Sequence, residues 1–114
     1  MSKLFELHCV PVNKDNPALS ADVILDLNVK IPEWKVHKSE GIPRLERVFK
    51  FNDFRHALEF TNKIGMLAEE EDHHPAILTE WGKVTITWWT HVIKGLHMND
   101  FIMAAKTDVL FTTK

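Results

Sequence analysis

Residues 52–91 read NDFRHALEFTNKIGMLAEEEDHHPAILTEWGKVTITWWTH, and this stretch decides the fold. Its first half carries Phe54, Ala57, Leu58, Thr61, Ile64, Gly65 and Ala68 at helical spacing, behind Asn52 as N-cap and with Asp53 at the positive end of the helix dipole. The helix is predicted to run from Asp53 to about Glu71, because Pro75 disfavours helical backbone at His74. The second half changes period. Ala76 to Glu80 and Lys83 to Thr90 flank Trp81 and Gly82, and the later segment is rich in Val, Thr, Ile and Trp, which predicts an antiparallel hairpin.

Working outward, Ser20 caps a short helix through Val23, Ile24, Leu25 and Leu27 that Pro32 must end. Between the two helices, Trp34, Val36 and Lys38 form one strand, Gly41 and Pro43 a turn, and Leu45 to Phe51 a second strand. Downstream, a last helix begins between Leu96 and Asp100. It places Met98, Phe101, Ile102, Ala105 and Val109 on one face, and Met103, Ala104, Thr107, Leu110 and Phe111 on another. A monomer would expose that second face, so it is expected to bury itself against another copy. Residues 1–19, with Pro11, Asn13, Asp15, Asn16 and Pro17, show no sustained period and are expected to be a loosely held arm without a catalytic residue. Residues 20–114 then form one α+β domain, a four-stranded antiparallel sheet with helices on one face, in the order α-β-β-α-β-β-α.

A length of 114 residues with 45% hydrophobic residues suits one core, and a domain this small gains from burying more surface in an oligomer. The net charge of −2, with both signs mixed along the chain, offers no basic stripe for nucleic acid. Cys9 is alone, so neither an internal disulfide nor a thiolate metal site is expected, and a reducing compartment fits. Lys3, Glu6 and His8 interrupt any signal-peptide run, and no span reaches membrane length. The expectation is a cytoplasmic protein. Glycine-rich phosphate loops and nucleophile elbows are missing as well.

Chemistry is signalled by seven histidines. Glu69, Glu70, Glu71 and Asp72 set four carboxylates against the negative end of the long helix, and His73 and His74 follow at once. Carboxylates close to an imidazole favour its protonated form and make a usable general acid. A solvated acidic helix end beside two surface histidines is the plain alternative. In an extended segment His73 and His74 point to opposite sides and so take different jobs. His91 follows the last strand, and the hairpin returns it toward His73 and His74, so the three histidines are candidates to line one pocket. The four tryptophans read as core or interface, with Trp88 and Trp89 presenting one ring to each face. His8, His37, His56 and His97 read as surface or capping groups.

The pattern Glu69, three residues, His73-His74-Pro75, five residues, Trp81, nine residues, His91, eight residues, Asp100 resembles the signature of the pterin-4a-carbinolamine dehydratase family. Element order from Ser20 to Phe111 is similar too. The resemblance implies a helix-covered four-stranded sheet, assembly into homodimers or homotetramers, and dehydration of a pterin carbinolamine; a proton donor and an acceptor suffice for that reaction, so no metal or organic cofactor is expected. It implies a functional link to aromatic amino acid hydroxylases, which leave the carbinolamine on their cofactor. By the resemblance His73, His74 and His91 are the site histidines, and Glu69 and Asp100 its acidic residues, with Asp72 and Thr90 beside them. We expect His73 and His91 to serve as the acid/base pair and His74 to bind and orient the pterin. One departure is Ile77, where some members carry an aromatic residue. Two rivals remain: three histidines and a carboxylate could hold zinc or iron, and some animal members also act as dimerisation partners of a transcription factor.

Overall fold

The structure, a computed structural model, describes residues 3–112. Its elements are α1 (Ala21–Asn28), β1 (Lys35–Ser39), β2 (Ile42–Lys50), α2 (Phe54–Glu71), β3 (Ala76–Glu80), β4 (Lys83–Trp88) and α3 (Met98–Thr112), with single helical turns at Leu4–Glu6 and His91–Ile93. The four strands form one antiparallel sheet in the order β1-β2-β4-β3. Leu45, Phe49, Val84, Ile86 and Trp88 are buried under α2 and α3 on one face. The fold is the expected α+β arrangement. Among the described residues no helix is long and apolar enough to cross a membrane.

Local chemistry explains most boundaries. The Ser20 hydroxyl accepts the Val23 N–H, and the Asp53 carboxylate accepts the His56 N–H at 2.8 Å, so Asp53 rather than Asn52 caps α2. The β1–β2 turn is Glu40-Gly41, both with positive φ (54° and 79°), the geometry that matches the twist of a two-residue hairpin. Pro43 lies inside β2, not in the turn. Hydrogen-bonded and open pairs alternate along an antiparallel ladder, and Ser39–Ile42 closes the turn. Lys38–Pro43 is therefore an open pair, with the proline nitrogen facing away from β1. It faces space that β4 does not reach, since β4 ends at Trp88 opposite Leu45.

The buried stripe of α2 is Ala57, Phe60, Ile64 and Ala68, while Leu58 and Phe54 are exposed. The helix is thus rotated from the expected face toward Phe60, whose ring lies 4.9 Å from that of Phe49. Thr61 faces β3 instead, its hydroxyl 2.6 Å from that of Thr79. The second face of α3 also needs correcting. Met103, Ala104 and Thr107 are fully buried within one copy, because the N-terminal turn packs along α3 and places Leu4 in the core, while the sheet and α2 cover the rest. Leu110 and Phe111 are partly buried against the same core. The segment expected to be a loose arm is tied down. Lys106 Nζ donates to Phe5 O at 3.0 Å and Cys9 N donates to Glu71 at 2.8 Å.

Candidate active site

The site begins where α2 stops. Asp72 adopts the left-handed conformation (φ 52°, ψ 45°), and both its N–H and that of His73 return to the Ala68 carbonyl. Aspartate tolerates this region better than most side chains, so the carboxylate-rich helix end turns sharply and delivers His73, His74 and Pro75 as extended chain. The two imidazoles then diverge. The His73 ring stacks on Trp88 (centroids 5.7 Å apart, planes 10° from parallel) and its Nε2 lies 2.6 Å from Asp100 Oδ1. His74 stays half-exposed, with Nε2 against Glu69 Oε2 on the solvent side.

Asp100 is the buried centre of the arrangement. It is fully enclosed, and Oδ2 accepts both the Thr90 hydroxyl (2.7 Å) and the His97 N–H (2.9 Å) while Oδ1 faces His73. The bond from the N-cap amide to an acidic side chain three residues on is half of a capping box, so starting α3 and holding His73 are one act. A carboxylate only accepts, which places the His73 proton on Nε2 and leaves Nδ1 as the nitrogen able to exchange one. His97 completes the cap, its Nδ1 accepting the Asn99 N–H at 3.0 Å. Burial holds the His97 pKa below its ordinary value, with His73 acting the same way and Asp100 opposing.

β4 ends at Trp88, two residues earlier than expected, because Thr90 leaves the ladder and bridges Gly95 instead. Gly95 is required there by close approach: a Cβ would stand 2.9 Å from that of Ala18. The loop carries His91 out to solvent with its ring against Trp89 (centroids 4.3 Å), and the Arg44 guanidinium lies 4.0 Å from the other ring's centroid. Trp88 is fully buried in the core, whereas Trp89, just past the strand end, is only partly buried against it.

A cleft of about 330 Å³ collects Asp72, His73, His74, Thr90 and His91 on one side. Five of the seven residues singled out in the sequence thus line one space. Asp100 lies beneath it, and Glu69 reaches it only through His74. The remaining lining is Val10, Pro11, Val12, Val92 and Asn99, none of which sequence reasoning found. Prolines near the N-terminus signalled irregular chain and nothing more. A larger groove of about 800 Å³ beside Phe60 and Phe111 contains one histidine, His56, and that ring is paired with Asp53. Among the described residues no three His, Cys, Asp or Glu side chains are placed to share a metal ion.

Next to the cleft, Glu71 fastens the N-terminal segment. Burial would raise its pKa, but the Cys9 N–H, the His8 ring at 2.8 Å and Lys106 together hold it below the usual value. Burial, followed by the charges of Glu71 and Asp100, pushes the Cys9 thiol up to about 12, so Cys9 is a packed thiol rather than a nucleophile.

Fold and site together define a small single-sheet α+β protein whose cleft gathers histidines backed by carboxylates, an arrangement suited to moving protons on a small molecule. The family described as Pterin 4 alpha carbinolamine dehydratase matches residues 17–110, and the chain belongs to that family. It is 54% identical to a Nitrosococcus oceani protein over 110 residues (96% of this chain, 97% of that one) and 50% identical to one from Microcystis aeruginosa over 111 residues (97% and 96%). Both carry the name "Putative pterin-4-alpha-carbinolamine dehydratase". Among solved structures, a transcriptional coactivator/pterin dehydratase from Brucella melitensis superposes with a TM-score of 0.74 at 29% identity, covering 82% of this chain and 97% of that one.

Proposed function

We propose that the chain dehydrates 4a-hydroxytetrahydropterin to the quinonoid dihydropterin, with His73 and His91 as the acid/base pair and His74 binding and orienting the ring. One imidazole gives a proton to the hydroxyl on C4a, and the C4a–O bond breaks to release water. The electrons of the N5–H bond form the C4a=N5 double bond as the other imidazole takes that proton. Protons balance, and the chemistry needs neither redox change nor cofactor. The observation that carries the reading is the cleft shared by His73, His74 and His91, in which His73 is braced from behind by buried Asp100. Glu69 would orient His74, while Asp72 and Thr90 supply polar groups at the cleft wall.

The setting proposed with it is cytoplasmic recycling of tetrahydropterin for aromatic amino acid hydroxylases, by a homodimer or homotetramer. Support for self-association lies on the uncovered sheet face. Val48 and Leu78 flank Thr85 in one cross-strand row and are 44% and 58% exposed.

Generating the carbinolamine and following its absorbance decay tests the reaction. Wild type should exceed the spontaneous rate, and His73→Ala or His91→Ala should lower the catalysed rate by roughly 10²–10⁴-fold in folded protein. His74→Ala should mainly raise KM. A wild-type protein that leaves the spontaneous rate unchanged would instead support a non-catalytic binding role.

A further inference from the structure

The N-terminal segment is built into the cleft by two anchors, Asn99 in the cleft lining and Glu71 beside it. Asn99 is 2% exposed, and its amide makes both backbone bonds of Val10: Oδ1 accepts the Val10 N–H at 3.1 Å and Nδ2 donates to the Val10 carbonyl at 2.8 Å. One residue earlier, Cys9 N–H donates to Glu71 at 2.8 Å. Asn99 directly precedes Asp100, and Glu71 stands two residues before His73. The strap is therefore registered to the same helix ends that place the acid/base groups, and Val10, Pro11 and Val12 line the cleft with the histidines.

The chemistry of this wall is narrow. Asn99 uses up the Val10 backbone, Pro11 has no N–H, and the side chains are hydrocarbon, so the wall offers apolar contact with few free donors. The amino and carbonyl edge of a pterin requires several hydrogen-bond partners, and this wall offers only the Pro11 carbonyl and the Val12 backbone. The substituent on C6 is bonded next to N5, beside the reacting edge, and its carbon chain suits an apolar wall. We propose that Val10–Val12 form the subsite for the C6 substituent, that Val12 is a specificity-determining residue, and that Asn99 positions the strap. This rests on the pterin reading above.

The test compares 6-methyl-7,8-dihydropterin with its 6-dihydroxypropyl counterpart by calorimetry, and the corresponding carbinolamines by dehydration kinetics. Val12→Ala keeps every anchor and should change the ratio of the two dissociation constants about fivefold or more. Asn99→Leu removes both bonds to Val10 and should raise KM roughly tenfold with a much smaller change in kcat, the signature of lost binding rather than lost chemistry. Should Asn99→Leu fail to fold, the Val12→Ala ratio decides alone. An unchanged ratio in folded Val12→Ala overturns the subsite, as does a wild type that binds neither dihydropterin. If wild type binds both dihydropterins and Val12→Ala shifts their ratio as expected, yet wild type does not accelerate dehydration, the subsite is upheld and the catalytic reading is overturned instead.

Discussion

Replacing Asp100 with asparagine changes one atom of the buried centre and reverses the polarity of His73. Oδ2 accepts two donors, the Thr90 hydroxyl and the His97 N–H, while Oδ1 faces only His73 Nε2. The asparagine carbonyl will therefore take the Oδ2 position and the amide NH₂ will face His73. Nε2 must then present its lone pair, which moves the imidazole proton to Nδ1, so the exchangeable nitrogen becomes a donor where it had been an acceptor. A hydrogen bond to a charged group is worth about 1.5–3 kcal/mol, and each 1.36 kcal/mol is a factor of about ten, so kcat should fall roughly 10- to 150-fold. Stability should fall by only about 1–2 kcal/mol, since two of the three donors keep an acceptor. Stopped-flow dehydration gives kcat and KM, and urea unfolding gives the stability. Adding His73→Ala to Asp100→Asn separates the two effects: once His73 is gone, the asparagine should cost kcat little more. A folded Asp100→Asn protein with wild-type kcat, or one whose losses simply add to those of His73→Ala, would refute the bracing argument.

Four other outcomes follow. His97 is held below its ordinary pKa of 6.5, so as pH falls the unfolded chain binds a proton first and this contribution to stability, complete above pH 6.5, is lost below it. His97→Asn retains a capping side chain without that titration, and its urea-unfolding stability should drop less than wild type between pH 7 and pH 5; parallel curves would contradict the assignment. Met103→Ala should cost about 2–5 kcal/mol in urea unfolding, because Met103 is fully enclosed in one copy, and a loss below about 1 kcal/mol would argue that it is not. Left-handed backbone at Asp72 predicts that Asp72→Gly is more stable than Asp72→Ala by roughly 1 kcal/mol in thermal unfolding, and equal stabilities would count against that conformation. Sedimentation of Val48→Glu with Leu78→Glu checks the open sheet face: the wild type should be an oligomer at micromolar concentration and the double variant should dissociate.

Much of the architecture was legible because it is decided over a few residues. Ser20 caps α1 through a hydroxyl three residues from its donor, Pro75 keeps α2 from running on, and Trp81-Gly82 leaves two residues between strands that must then pair as a hairpin. The histidine motif was legible for a different reason. Its spacings span Glu69 to Asp100, and the resemblance carried by those residue types led to Asp100, which no local rule would have joined to His73 across 27 positions.

What the sequence by itself determined, then, is the order of elements, since propensity, capping and turn chemistry act within a turn or two of chain, and, through its motif, the histidines of the cleft. Tertiary structure alone decided which face of a helix is inner and which distant segment completes the site. Leu58 and Phe60 are both apolar on α2, and only the phenylalanine rings already gathered around Phe49 choose Phe60. Pro43 is acceptable inside β2 only because β4 stops opposite Leu45. Val10 reaches the cleft only because Asn99, 89 positions away, has a buried amide that must satisfy both of its hydrogen-bonding groups. Those outcomes depend on desolvating groups that are far apart in the chain, and their cost and reward exist only once the chain has brought them together.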